Sequence, residues 1–214
     1  MKYRPIFITA TNTDIGKTYT TCKLIEEFGK RGLKVGVLKP IETGVIKEPL
    51  DGRILYEAAK KTNPTLENFS LEDIVPVRYS LPAAPYIAKK DEVIDMTKIH
   101  QAFEKLSLIS DVVLIEGAGG VMVPVEEEFY MYDFIKEFNA VTLLVTHGNL
   151  GCINDVLLNV YFLDSLGIEY EWCVNLKQNV AHFEEITLPF YQKSFPSVLV
   201  LQNDCERIVE KLLK

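Results

Sequence analysis

The chain is poor in the residues that build disulfide frameworks and transition-metal sites. Among its 214 residues there are four cysteines and three histidines. Cys22, Cys152, Cys173 and Cys205 stand far apart with no CxxC spacing, so they read as reduced core thiols of a cytoplasmic protein. His100, His147 and His182 are equally scattered, which leaves no metal-ligand cluster and no Cys–His or Ser–His pairing for a side-chain nucleophile. No apolar run is long enough to span a membrane, and residues 1–5 lead straight into a predicted strand without a signal peptide. Positive charge is also scarce: 23 Lys and Arg against 30 Asp and Glu give a net charge of −7. That balance argues against a general nucleic-acid binder, and it requires any phosphate ligand to be held by local lysines, a helix end and a metal. No repeat, low-complexity stretch or linker divides the sequence, so residues 1–214 are expected to form one domain with a sizeable core.

What is present is alternation. Residues 3–8, 35–38, 111–115, 140–145, 170–174 and 197–201 are short apolar runs and read as buried strands. Residues 18–29, 54–61, 96–108, 132–138, 154–166, 183–193 and 205–213 read as helices, with Ile99, Phe103 and Leu106 on one stripe of 96–108. Residues 43–49 predict a polar loop, and 64–90, with Pro76, Pro82 and Pro85, an irregular segment. Strands of this kind alternating with helices predict an α/β fold, a mostly parallel sheet with helices on both faces. In such sheets ligands bind at the carboxyl ends of the strands.

The first strand ends in Ala10-Thr11-Asn12-Thr13-Asp14-Ile15-Gly16-Lys17-Thr18, and a helical pattern follows. Strand, Gly-Lys-Thr turn and helix form the context of a phosphate-binding loop. The helix start aims N–H groups and partial positive charge at an anion, and Gly16 admits phosphate oxygens. Lys17 would reach the β- and γ-phosphates, and the Thr18 hydroxyl would ligate Mg²⁺. The usual first glycine falls at Thr11, with Ala10 one place earlier, so the loop is a variant. Lys39 follows the second strand, where a fixed cation would neutralise a phosphoryl or carboxylate group. Glu116 follows the third predicted strand and would hold Mg²⁺, while Gly117, Gly119 and Gly120 permit close approach to a ligand. Asp51 is a further Mg²⁺ candidate, and standing alone it would equally serve as a helix N-cap. Residues 148–154 open the long helix and form a second anion-ready N-terminus.

Taken together, Thr11-x-Thr13-x-x-Gly16-Lys17-Thr18, Lys39-Pro40-x-x-Thr43-Gly44, Pro82-x-Ala84-Pro85, Glu116-Gly117-Ala118-Gly119-Gly120 and Leu150-Gly151-Cys152-Ile153-Asn154 resemble dethiobiotin synthetase in order and spacing. The resemblance runs from the first predicted strand to Asn175. It implies a P-loop nucleoside triphosphatase fold and an ATP-dependent ligase that converts 7,8-diaminononanoate and CO₂ to dethiobiotin, releasing ADP and phosphate. It implies Lys17 and Lys39 as catalytic cations, and Thr18, Asp51 and Glu116 as Mg²⁺ ligands. The nucleotide is implied to lie on Thr13, Asp14, Ile15, Gly16, Lys17, Thr18, Tyr19, Asp51, Glu116, Gly117, Ala118, Gly119 and Asn175. The diamine is implied to meet Thr13, Lys39, Thr43, Pro82 and Gly120. Its distant carboxylate is implied to meet Leu150, Gly151, Cys152, Ile153 and Asn154 across a two-fold homodimer. Small molecules, rather than nucleic acid or membrane, are the expected partners.

The sequence departs from the family pattern at Ala10, at Tyr86, where a histidine is common, and around the base site. Leu176 follows Asn175 where an aspartate is typical, and Leu199-Val200-Leu201-Gln202 lacks the usual Gly and Pro. The expectation is weak discrimination among nucleotide bases. Two other classes share the loop. A regulatory ATPase usually carries an extra lysine early in it, where this chain has Asn12 and Thr13; an amide-forming synthetase of the cobalamin branch needs a glutaminase domain for which no residues remain.

Overall fold

The computed structural model describes residues 1–177 and 180–214. In chain order the elements are β1 (Ile6–Ala10), α1 (Lys17–Lys30), β2 (Val35–Leu38), β3 (Ile41–Thr43), α2 (Leu50–Lys60), a 3-10 turn (Pro64–Asn68), α3 (Leu71–Ile74), β4 (Val77–Tyr79), α4 (Pro85–Ala88), α5 (Met96–Ile109), β5 (Val112–Glu116), β6 (Pro124–Glu126), β7 (Phe129–Tyr130), α6 (Asp133–Glu137), β8 (Val141–His147), α7 (Cys152–Ser165), β9 (Tyr170–Asn175), α8 (Val180–His182), a π-helical turn (Phe183–Thr187), α9 (Leu188–Ser194) and α10 (Leu201–Leu212).

Five strands form one parallel sheet in the order β2-β5-β1-β8-β9. Every residue of β1, β2 and β5 is buried, so helices cover both faces, as uninterrupted apolar strands predict. The chain leaves β1 across β5 to β2, returns to β5, then crosses β1 to reach β8. The crevice this reversal opens lies at the carboxyl ends of β1, β5 and β8. Among the described residues no helix is long and apolar enough to cross a membrane.

Three expectations need correction. Residues 64–90 are not irregular throughout. Ser70 caps α3 through a reciprocal capping box with Asp73, and β4 pairs in parallel with β3, placing Glu42 opposite Arg78. The helix expected from residue 54 starts at Leu50, so Asp51 stands in its first turn instead of capping it. The last expected strand, 197–201, shrinks to one bridge between Val174 and Val200. The Val200 N–H is taken by Asp204 Oδ2 at 2.9 Å, and α10 begins at the next residue. A local side-chain acceptor here outcompetes the strand ladder.

Candidate functional site

The loop from β1 to α1 turns through two left-handed residues, Asp14 (φ 58°) and Gly16 (φ 102°). Gly16 is required for space as well as conformation, because a Cβ there would lie 2.4 Å from Asn175 Nδ2. Gly16 also stands at the N-cap of α1 without capping it by a side chain, so the first-turn N–H groups face the crevice as an anion site. Ala10 is the last residue of β1 and has no positive φ, which explains why a methyl group is tolerated there.

Behind the loop lies a buried charge network. Glu116 ends β5 and has no exposed surface. Its carboxylate accepts hydrogen bonds from Thr18 Oγ1 (2.9 Å), Thr21 Oγ1 (2.8 Å) and Lys39 Nζ (2.7 Å). Lys39 Nζ also donates to Gly117 O at 3.2 Å and lies 3.4 Å from Asp51 Oδ2. Burial opposes the charge on Lys39, but Glu116 and Asp51 outweigh it and hold the ammonium above its ordinary range. Lys17 contrasts with it: burial, then repulsion from Lys39, lower its pKa to about 8. Its Nζ rests 3.4 Å from Asn12 O. The poorly solvated Lys17 ammonium gains charge stability when an anion arrives.

A cavity of about 490 Å³ is lined by Thr13, Asp14, Gly16, Lys17, Thr18, Lys39, Glu42, Thr43, Asp51, Ala118, Gly119 and Lys177. Most residues implied for phosphate and metal therefore converge. Gly120 lies against the loop, where a Cβ would come within 3.4 Å of Ala10 O. An adjoining cavity of about 320 Å³ is lined by Asp14, Ile15, His147, Gly148, Asn149, Asn175 and Lys177. At its floor Asn175 donates to Ile15 O (2.9 Å) and accepts from Gln202 Nε2 (2.8 Å), while Gln202 Oε1 accepts from Leu176 N–H (3.1 Å). A third cavity, about 440 Å³, opens on the other side of Thr13, between Gly120–Pro124 and Leu158, Asn159 and Phe162 of α7.

Other implied residues stand apart. Tyr19 is half-exposed on α1 and lines none of these cavities. Pro82 is exposed beside Gly44, next to Thr43. Residues 150–154 line none of the three cavities; Leu150 is fully exposed and Cys152 is buried. Sequence reasoning missed Thr21, Glu42, Lys177 and Gln202. Only Thr21 left a signal, one helical turn after Thr18 and so on the same face of α1.

Oxygen donors from Thr18, Glu116 and Asp51 are the hard ligands Mg²⁺ takes, and two carboxylates suit an ion that keeps waters and phosphate oxygens in its shell. Among the described residues no cluster of three His, Cys, Asp or Glu side chains forms a closed metal cage.

A parallel sheet carrying a Gly-Lys-Thr loop with a buried Lys–Glu pair defines a P-loop nucleoside-triphosphate-binding protein. Residues 4–181 match the AAA domain family model. Solved structures of similar shape include the MinD cell division protein of Aquifex aeolicus (TM-score 0.54, 16% identity, 97% of this chain and 86% of that one). A ParA family ATPase of Chlorobium tepidum is also similar (TM-score 0.55, 10% identity, 100% and 91%). At such identities the likeness is one of fold. Among curated proteins, the ATP-dependent dethiobiotin synthetase of Sulfurovum sp. is 46% identical over 192 residues, covering 90% of this chain and 91% of the relative. That of Wolinella succinogenes is 35% identical over 213 residues, covering 98% of each. The chain belongs to the ATP-dependent dethiobiotin synthetase family, ligases of biotin biosynthesis. This membership disfavours the regulatory ATPase reading.

Proposed function

We propose that this site carboxylates 7,8-diaminononanoate and closes the cyclic urea of dethiobiotin at the expense of ATP. One amine adds to CO₂ and loses a proton, giving a carbamate. The carbamate oxygen attacks the γ-phosphorus and the bond to ADP breaks. The second amine attacks the carbamoyl carbon and loses a proton, the bond from that carbon to the phosphate oxygen breaks, and phosphate departs. No side-chain nucleophile is needed; catalysis is positioning and charge stabilisation. Lys17 and Lys39 hold the carbamate and the transferring phosphoryl group. Thr13, Thr43, Pro82 and Gly120 meet the diamine, while the Gly117–Ala118–Gly119 backbone lies along the phosphates. Thr18, Asp51 and Glu116 would hold Mg²⁺, which supplies charge neutralisation to the phosphates when bound. The base occupies the cavity beside Asn175, and we place Asp14, Ile15 and Tyr19 along the nucleotide with it.

The observation that carries this reading is the Lys39–Glu116 pair buried behind an uncapped helix start, with the incompletely solvated Lys17 beside it. The active unit is a cytoplasmic homodimer of single-domain chains. Supporting it, Met122 and Leu158 are exposed apolar residues lining the third cavity, and Tyr161 on α7 and Leu150 just before it are exposed as well. The partner's Leu150–Asn154 segment would then receive the diamine's carboxylate. Phosphate release measured with and without diamine and bicarbonate tests the reaction, with dethiobiotin identified by mass spectrometry. Release indifferent to both substrates refutes it.

A further inference from the structure

We infer that Glu42 is a positioning residue that fixes Asp51 opposite Lys39; the inference rests on Asp51 holding Mg²⁺, as proposed above. Helix α2 starts after Pro49, which gives it no side-chain cap. Its first N–H groups therefore need an outside acceptor. Glu42, on β3, supplies it: Oε1 accepts from Asp51 N–H at 3.1 Å and Oε2 from Gly52 N–H at 2.9 Å. A carboxylate in that place also complements the positive end of the helix. It grips the backbone of Asp51 itself and of the next residue.

The surroundings make this the link between two parts of the site. Lys39 is anchored by its N–H to Ile74 O (2.8 Å), and β3 is held by pairing with β4. Asp51 reaches the same region from a separate element, after a loop that carries the highly exposed Ile46. Glu42 is 7% exposed and spans the gap between the two. Gly52 is part of the arrangement, since a Cβ there would meet Val75 Cγ2 at 2.0 Å and Glu42 Oε2 at 3.3 Å. Glycine is otherwise unfavourable inside a helix; here it lets the turn come within reach of Glu42.

The test is calorimetric binding of ADP in Mg²⁺ and in EDTA to wild type, Glu42→Ala, Glu42→Gln and Asp51→Ala. Removing a group that orients a metal ligand weakens the metal-dependent part of binding. Glu42→Ala should lose about tenfold or more in Mg²⁺ and stay within about twofold of wild type in EDTA. Glu42→Gln, whose amide oxygen keeps an acceptor, should fall between, and it carries the test if the alanine variant fails to fold. The Glu42→Ala, Asp51→Ala double variant should be no weaker than Asp51→Ala alone. If Asp51→Ala loses the Mg²⁺ gain but both Glu42 variants keep it, the inference fails and the reading of Asp51 stands. If Asp51→Ala keeps the gain, both fail. An equal loss in Mg²⁺ and EDTA marks general structural damage and also overturns the inference.

Discussion

Replacing Lys39 by methionine separates two tasks of one ammonium group. Glu116 has no exposed surface, and Lys39 Nζ lies 2.7 Å from its carboxylate. Removing one partner of a buried ion pair costs about 3–5 kcal/mol, because the other charge is left stranded. The lower end, about 3 kcal/mol, applies because the Thr18 and Thr21 hydroxyls still donate to Glu116. In a chain of this size that lowers Tm by about 6–12 °C. Adding Glu116→Gln removes the stranded charge, so the double variant should recover most of the loss in Tm. Turnover should not follow. A fixed donor lost from developing charge costs about a hundredfold to a thousandfold in rate, and repairing the fold replaces neither that donor nor the proposed Mg²⁺ ligand that Glu116→Gln also removes. Circular dichroism melts and diamine-dependent phosphate release on the same preparations measure both. An unchanged Tm in Lys39→Met refutes the buried-pair argument. Turnover restored in the double variant refutes the catalytic one.

Lys17→Ala should lower turnover about a thousandfold or more with the circular dichroism spectrum unchanged, and wild-type turnover would sink the site assignment. Because the Lys17 pKa falls to about 8 on folding, the unfolded chain holds the extra proton between about pH 8 and 10.5; this group's contribution to stability therefore rises with pH across that window, which melts of the nucleotide-free protein would show. Bound phosphate favours the charged form, so nucleotide binding at pH 9 should take up protons, read from calorimetry in buffers of different ionisation heat; no uptake refutes the placement of Lys17. With Asn175 and Gln202 engaged with each other, ATP, GTP, CTP and UTP should differ by no more than about tenfold in turnover efficiency, since one lost neutral hydrogen bond is worth about 0.5–1.5 kcal/mol; a thousandfold ATP preference would show another reader of the base. Leu150→Glu, chosen over the neighbouring Gly151 whose φ of 95° any side chain would strain, should be inactive alone, yet co-refolded with Lys17→Ala it should restore about a quarter of wild-type turnover; a dead mixture in which mixed dimers are shown to form places the site within one chain.

Local chemistry in the sequence was enough for the five strands of the main sheet and for the phosphate loop. Val35–Leu38 is a strand over the residues expected, because a short apolar run between turn residues has few other ways to bury itself. Gly16, Lys17 and Thr18 were legible because the strand–turn–helix context and the required residue types are contiguous. Lys39 and Glu116 were legible as strand-end residues, since a parallel sheet gathers its carboxyl ends on one edge. Tertiary structure alone decided what those residues touch. Thr21 bonds Glu116 across 95 positions of sequence, and Gln202 bonds Asn175 across 27. Glu42 caps a helix that its own position in the chain does not announce, and Asp204 captures the Val200 N–H that would have extended a strand. Periodicity reports which face of an element is apolar; it carries no information about which distant donor meets a buried acceptor. Those pairings are fixed only when packing brings the elements together and each buried polar atom must find a partner.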